Sequence, residues 1–110
     1  MPFQADLKIE SHIAIITLTG ELDAQAASNL RERIEEASTH QPRKLVFVVR
    51  DLSFLASAGL RTLVFARQKM HADVDVYIVG AHGAVTQTIE LTGFHHSVTM
   101  LDDYDEAIAG

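Results

Sequence analysis

The run "KLVFVV" at residues 44–49 constrains the fold more than any other stretch, because its last five residues are apolar and follow one another without alternation. A strand with one face in water alternates apolar and polar residues, whereas a strand covered on both faces is apolar along its length. The run therefore predicts a central strand of a sheet. Residues 74–80, "VDVYIVG", predict a second buried strand that ends at Gly80.

Three further segments have the character of strands. Residues 5–10 and 12–19 predict the first two strands of the chain, and the second of them is rich in Ile and Thr. Ser11 and His12 leave room only for a tight reversal, which predicts a hairpin. Residues 97–101, "SVTML", predict the last strand.

Helical segments separate the other strands. The first is predicted to begin at Asp23, whose carboxylate can accept hydrogen bonds from the unpaired amides of the first turn. Its apolar residues recur at helical spacing: Ala27, Leu30, Ile34 and Ala37. A second helix is predicted over residues 57–70, and a third over residues 83–93 with Gly93 as its C-cap. A fourth opens with the acids of residues 102–110, "DDYDEAIAG".

The resulting order of elements is β-β-α-β-α-β-α-β-α. Strands that alternate with single helices need crossover connections, so the sheet is expected to be largely parallel, with the first hairpin adding one antiparallel strand. We predict a single α/β domain over residues 1–110, with a mixed, mostly parallel sheet of four to five strands and the helices mainly on one face. The first strand is expected at an edge. The buried side chains are expected to include Val46, Val48, Tyr77 and Val79.

Charge and hydropathy exclude two classes of partner. The chain carries 15 acidic residues against 9 Lys plus Arg, a formal net charge of −6, and only 6% aromatic residues. A surface that follows nucleic-acid phosphates needs the opposite balance of charge, and a base-stacking platform needs more aromatic residues. No apolar run approaches the ~20 residues needed to cross a bilayer, and the first residues lack a secretion-signal pattern. We therefore expect a cytoplasmic protein that neither binds nucleic acid nor inserts into a membrane.

The sequence shows no catalytic or metal-binding constellation. The chain has no cysteine, which removes disulfides, thiolate catalysis and cysteine-based zinc sites. Four of its six histidines are scattered, and His95 and His96 are expected to point apart in an extended segment. We therefore expect no metal, no cofactor and no enzymatic activity.

Ser57, in the stretch "ASAGL", stands where a strand gives way to a helix. Serine is a good N-cap, and its hydroxyl can accept from the amide of Gly59 or Leu60 at a gain of about 1 kcal/mol. The same position suits a phosphate, because the helix dipole favours an anion there. Ala56 and Ala58 leave the hydroxyl unshielded, and Gly59 is expected to leave the backbone open to an approaching enzyme. The residues alone leave both interpretations open.

Three stretches, in order and at matching spacing, resemble the STAS domain of bacterial anti-sigma-factor antagonists. The first, "ITLTGELDAQAASNLRERI", is similar to the family's strand, glycine and Asp-opened helix. The second, "LSFLASAGLRTLVFARQK", is similar to its phosphorylation segment, where Ser or Thr precedes a small residue and Gly-Leu. The third, "ELTGFHHSVTMLDDYDEAIA", is similar to its Thr-Gly turn, last strand and final helix.

The resemblance implies a protein that acts by partner switching. Ser57 would be phosphorylated by a serine/threonine kinase that is also an anti-sigma factor, and a PP2C-type phosphatase would remove the phosphate. The unphosphorylated form would bind the kinase and so free a sigma factor. Asp23 matches an acidic position near that serine. The implied partner surface consists of Asp23, Arg31, Ala56, Ser57, Ala58, Gly59 and Arg61.

Several alternatives stay open. Val48 and Ala56 stand where the family commonly has Asp, and Ser53, expected in the loop before the helix, and Thr62, one turn along it, are alternative phosphorylation sites. A second function is that of a soluble STAS subunit of a membrane transporter complex, such as a lipid ABC transporter. A third is a small α/β enzyme or ligand binder that uses the carboxyl ends of the strands. Weak homodimerisation is also left open.

Overall fold

The computed structural model describes residues 2–105. Within this range the elements are β1 (Gln4–Glu10), β2 (Ile13–Leu22), α1 (Ala27–Thr39), β3 (Lys44–Leu55), α2 (Ser57–Lys69), β4 (Asp75–Val79), α3 (Gly83–Thr92) and β5 (Thr99–Leu101). A short 3-10 helix, Phe94–His96, separates α3 from β5. Residues 104 and 105 are helical, and the remainder of the predicted fourth helix lies outside the described residues.

The five strands form one sheet in the order β1-β2-β3-β4-β5. β1 pairs antiparallel with β2, and each later pair of neighbours is parallel. β1 therefore lies at an edge, and β3 occupies the centre. The predicted α/β fold with a mixed, mostly parallel sheet is confirmed.

The helices α1, α2 and α3 lie on one face of the sheet because the crossovers through them move in the same direction. The connections through α1, α2 and α3 each lead from one strand to the adjacent strand farther from β1. Crossovers between parallel strands are right-handed, so successive steps in one direction place their helices on the same side. The main core fills the space between this face and the helices. Its members include Ile16, Phe47, Ile78, Leu30, Ile34, Leu63 and Ile89.

The opposite face of the sheet is also covered, which explains the continuous apolar run of β3. Val46 and Val79 are completely buried there, next to Ile15. Val48 and Tyr77 lie at the margin of the same cluster and are partly buried. Of the four predicted core positions, two are fully buried and two are half-buried.

The central strand is longer than predicted. The apolar run ends at Val49, but β3 continues to Leu55 because it goes on pairing with β2 as far as Leu22. Register shifts in this part of the ladder break the alternation of side chains, so "RDLSFL" does not look like a strand in the sequence. Leu52 and Leu55 nevertheless enter the main core.

The last strand is shorter than predicted and begins at Thr99 instead of Ser97. Gly93 ends α3 in the left-handed conformation with a φ of 77°, as expected for a C-cap glycine. Phe94 follows it into the core, where it is 6% exposed. The 3-10 helix that Phe94 opens has Ser97 as its C-cap residue, so the strand starts two residues later than predicted.

Ser11 and His12 form the turn of the predicted hairpin. Their φ angles are 46° and 70°, and Glu10 pairs with Ile13 across the turn. Two residues with positive φ characterise the type I′ turn, which favours Asn-Gly and similar pairs. Neither residue here is glycine, so the turn holds two side chains in the left-handed region at a cost in free energy.

We expect His12→Gly to raise the free energy of unfolding by about 0.5 kcal/mol. Relief of the left-handed strain at residue 12 exceeds the entropy that glycine adds to the unfolded chain. The carbonyl of His12, which accepts the amide of Arg43 at 2.7 Å, is retained in the variant. Urea unfolding measures the change. His40→Gly is the matched control, because His40 has a φ of −87° and gains nothing from glycine. An equal loss of stability in both variants would contradict the assignment of strain.

Candidate functional site

The start of α2 is fixed by a contact with the end of β2. Ala56 is the N-cap residue, with an extended φ of −79° and ψ of 165°. Its amide donates a hydrogen bond to the carbonyl of Leu22 at 2.9 Å, and its carbonyl accepts the amide of Leu60 at 2.9 Å. The contact with Leu22 thus ties the first turn of α2 to the end of β2.

Ser57 is the first residue of α2 and not its N-cap, so the capping interpretation is wrong. Helix α2 begins at Ser57, as predicted, but its N-cap position is occupied by Ala56, which takes the extended conformation in the contact with Leu22. No side chain caps this helix. Ser57 is exposed, and its hydroxyl is therefore presented to solvent at the end of a helix whose first amides lack partners within the helix.

Gly59 is buried, which corrects the expectation that it opens the backbone to an approaching enzyme. A Cβ atom at residue 59 would lie 2.5 Å from Cγ of Leu22 and 3.0 Å from its carbonyl oxygen. Only glycine lets the first turn of α2 approach β2 so closely. Gly59 therefore supports the site from beneath and does not belong to the accessible surface.

Asp23 lies beside this contact but does not cap α1. The helix begins at Ala27, and its N-cap position is occupied by Ala26. The Asp23 carboxylate accepts the amide of Ala26 at 2.9 Å, and its carbonyl accepts the amide of Ala27 at 3.2 Å. Asp23 thus closes a turn that precedes the helix, and the helix starts four residues later than predicted.

The structure distinguishes Ser57 from the two alternative hydroxyls. Ser53 lies in β3 and not in a loop, and it donates to the carbonyl of Gly20 at 3.1 Å. Thr62 is only 9% exposed and donates to the carbonyl of Ala58 at 3.0 Å. Ser57 is exposed, and unlike Ser53 and Thr62 it makes no hydrogen bond from its hydroxyl to the backbone of the described residues.

The other predicted surface residues lie along α2 and α1. Ala56 and Ala58 flank Ser57 and are half-buried, whereas Arg61 is exposed one turn farther along α2. Arg31 is exposed on α1, where its guanidinium lies 4.0 Å from the ring centre of Phe65 on α2. Four of the predicted residues therefore lie along the first turns of α2, Arg31 lies on the adjacent helix α1, and Gly59 is buried.

Phe54 is a residue of this region that the sequence interpretation missed. Its side chain is 45% exposed, and it lies in β3 opposite Glu21, three residues before Ser57. Leu52 and Leu55 on either side take core positions, so the register shift of β3 turns Phe54 outward. The sequence signal for Phe54 was that residues 52–55 contain three large apolar side chains, although the core takes only Leu52 and Leu55.

His95 and His96 do not point apart, because they lie in a 3-10 helix and not in an extended segment. Their ring centres are 3.9 Å apart with the planes tilted by 38°. Within residues 2–105 no group of three or more His, Cys, Asp or Glu side chains is arranged to hold a metal ion.

Three side chains with shifted pKa values lie on or near the sheet face opposite the helices. Burial raises the pKa of Tyr77 and of Tyr104, with smaller contributions from the carboxylates of Asp75 and Glu10 respectively. A hydrogen bond to Glu10 raises the pKa of the exposed Lys8. These shifts accompany packing at that face and involve no residue of the Ser57 region.

None of the helices among the described residues is both long enough and apolar enough to pass through a membrane.

We expect Gly59→Ala to lower the free energy of unfolding by about 1–3 kcal/mol, because the added methyl group overpacks the contact with Leu22. Helix propensity alone predicts a gain of up to about 1 kcal/mol, so the sign of the change separates the two effects. Urea unfolding measures it. In a Leu22→Ala background the cost of the added methyl group should shrink. A stabilised single variant would show that the contact is not tight.

The geometry agrees with comparisons to known proteins. The family model of the STAS domain matches residues 4–107. RsfB, an anti-sigma-F factor antagonist of Mycobacterium tuberculosis, is 30% identical over 99 residues, which cover 89% of this chain and 80% of that protein. An anti-sigma factor antagonist from Mycobacterium paratuberculosis superposes with a TM-score of 0.91 at 22% identity, covering 98% of this chain and 92% of the other. The Bacillus cell fate determinant SpoIIAA in its phosphorylated form superposes with a TM-score of 0.74 at 21% identity, covering 98% and 97%.

The two solved structures share the fold at low identity, and the family match extends over nearly the whole chain. The names of the relatives are those of regulatory proteins, which confirms the expectation that this chain is not an enzyme. The chain belongs to the STAS domain family.

Proposed function

We propose that this protein is a cytoplasmic anti-sigma-factor antagonist that binds an anti-sigma kinase and is released when Ser57 is phosphorylated. The relative with 30% identity is named as an antagonist of this kind, and a protein of the same fold has been solved in a phosphorylated form. Both observations support the proposal. The cognate phosphatase in this scheme is of the PP2C type.

The observation that carries the proposal is the position of Ser57. Its side chain is exposed at the first position of α2, while Ser53 and Thr62 use their hydroxyls in backbone hydrogen bonds. A kinase must bring the γ-phosphate of ATP into line with the attacking oxygen, which requires an accessible hydroxyl. Ser57 meets that requirement without any rearrangement of the fold.

Phosphorylation would change charge and not shape. Attack of the Ser57 Oγ on the γ-phosphorus releases ADP, the hydroxyl proton passes to the kinase, and about −1.5 to −2 charges remain on the serine. The phosphate projects from a helix end that is anchored to Leu22, so it stays in the surface that the partner would cover. Covering a dianion costs desolvation energy, and this disfavours the complex.

The proposed partner surface surrounds Ser57. Ala56 and Ala58 flank it in the chain, and Asp23 follows Leu22, whose carbonyl accepts the amide of Ala56. Arg61 and Arg31 extend the surface along α2 and α1. To these residues the structure adds Phe54, whose half-exposed ring could fill a pocket on a partner, since aromatic side chains are frequent anchors of interfaces. Gly59 supports the surface without touching the partner.

We expect a purified serine kinase of the anti-sigma type, supplied with ATP, to add one phosphate to the wild-type chain and none to Ser57→Ala. Intact-mass measurement counts the phosphates, and peptide mapping locates them. Ser53→Ala is the control, because its hydroxyl is tied to Gly20 and its loss should leave phosphorylation unchanged. Phosphate that persists in the Ser57→Ala variant would place the site elsewhere.

We expect Ser57→Ala to bind the kinase as tightly as unphosphorylated wild type, and Ser57→Asp to bind at least tenfold more weakly. The carboxylate introduces a charge that the complex must desolvate. Neither substitution removes a cap, so both variants should unfold within about 0.5 kcal/mol of wild type. Calorimetric titration gives the affinities. Equal affinities of the two variants would contradict a charge-sensitive partner surface and would favour the transporter-subunit alternative, which needs no phosphorylated serine.

A further inference from the structure

We propose that phosphate on Ser57 pairs with the guanidinium of Arg61, so that phosphorylation engages a cation that is otherwise available to the partner. The biological role of this pair rests on the function proposed above. The pair itself is a property of helix α2, and it can be tested without a kinase.

The spacing of the two residues brings them to the same face of the helix. Ser57 and Arg61 are four positions apart on α2, and both are exposed. Side chains at this spacing are neighbours on a helix surface, and an acid placed N-terminal to a base is the favourable order. A phosphoserine at residue 57 followed by arginine at residue 61 has that order. Guanidinium groups bind phosphate oxygens with two parallel hydrogen bonds.

Arg61 has no other anionic neighbour on its own helix. The residues three and four positions away on α2, besides Ser57, are Ala58, Val64 and Phe65, and none of them carries a charge. The ring of Phe65 is already contacted by the guanidinium of Arg31 at 4.0 Å. Among residues 2–105 the ion pairs and side-chain hydrogen bonds do not include Arg61. Its charge is therefore available to a new anion.

The charged groups that the sheet contributes near the start of α2 leave this role to Arg61. Glu21 and Asp23 at the end of β2 and Asp51 in β3 are acids, and they oppose a phosphate. Asp23 accepts the amide of Ala26. Arg50 in β3 is a base, but its guanidinium donates to the carbonyl of Asp102 at 3.0 Å.

The pair gives phosphorylation a second effect on the partner surface. In the unphosphorylated form Arg61 is exposed and can meet an acid on the partner. In the phosphorylated form the same guanidinium would be neutralised by the phosphate on its own helix. Ala56 sharpens this effect, because no carboxylate directly precedes Ser57 to compete for the arginine.

Incorporation of phosphoserine at residue 57 during translation gives the test protein without any kinase. Phosphorus NMR then follows the second ionisation of the phosphate, which has an ordinary pKa of about 6. Arg61 favours the dianion and so lowers this pKa. We expect Arg61→Gln to raise it by about 0.3 pH unit, the size of an exposed helical ion pair. Lys69→Gln, at an exposed position three turns away, is the matched control and should leave the value unchanged.

If the phosphate on Ser57 has the same pKa in the wild-type and Arg61→Gln proteins, the proposed ion pair is wrong. An equal rise in the Lys69→Gln protein would also contradict the pair, because it would show that only the net charge matters. The NMR measurement needs no kinase, so its result does not depend on the outcome of the kinase experiment. The proposed function and the proposed ion pair can therefore be refuted independently. Addition of 1 M salt should remove most of the difference between wild type and Arg61→Gln, since exposed charge pairs are screened.

Discussion

The contact between the end of β2 and the start of α2 is the constraint on which the candidate site depends. One backbone hydrogen bond joins Ala56 to the carbonyl of Leu22, and the missing side chain of Gly59 lets the helix lie directly against the Leu22 side chain. A larger residue at position 59 would push the helix away and move Ser57 with it. A surface whose binding is controlled by charge alone needs such a rigid support, because the partner must distinguish a hydroxyl from a phosphate at one fixed position.

The topology places the Ser57 region at the end of the sheet where strands give way to helices. Because β2, β3, β4 and β5 run parallel and are joined through α1, α2 and α3, the carboxyl ends of β2, β3 and β4 and the starts of these three helices meet at the same end of the sheet. The Ser57 region at this end presents exposed side chains, among them Phe54. Cavities of similar size lie at both ends of the strands: one of about 390 Å³ is lined in part by Pro42, Arg43 and Met70, and one of about 360 Å³ is lined in part by Glu21 and Asp23. An exposed hydroxyl on a projecting surface suits recognition by a macromolecule.

Most of the fold could be predicted from the sequence, because hydrophobic periodicity and connection rules act locally. The hairpin at Ser11 followed from the short gap between two strands, the C-cap at Gly93 followed from the preference of glycine for that position, and the parallel pairing followed from the single helices between the strands. The errors fall where tertiary contacts override local preference. Asp23 and Ser57 are both good capping residues, yet the N-cap positions are occupied by Ala26 and by Ala56, the latter in the contact with Leu22. The burial of Gly59 depends on the same contact and has no local signature.

The charges around Ser57 would set the direction in which the proposed phosphorylation switch works. The sheet end contributes the acids Glu21 and Asp51, while α2 contributes the base Arg61. A partner that binds the unphosphorylated surface has to complement both signs across a short distance. In the proposed switch, phosphate would neutralise Arg61 and add negative charge beside existing acids, so that Arg31 would remain as the exposed cation of the surface. Because like charges across an interface repel, a partner with an acid opposite Arg61 loses its attraction and gains repulsion in one step.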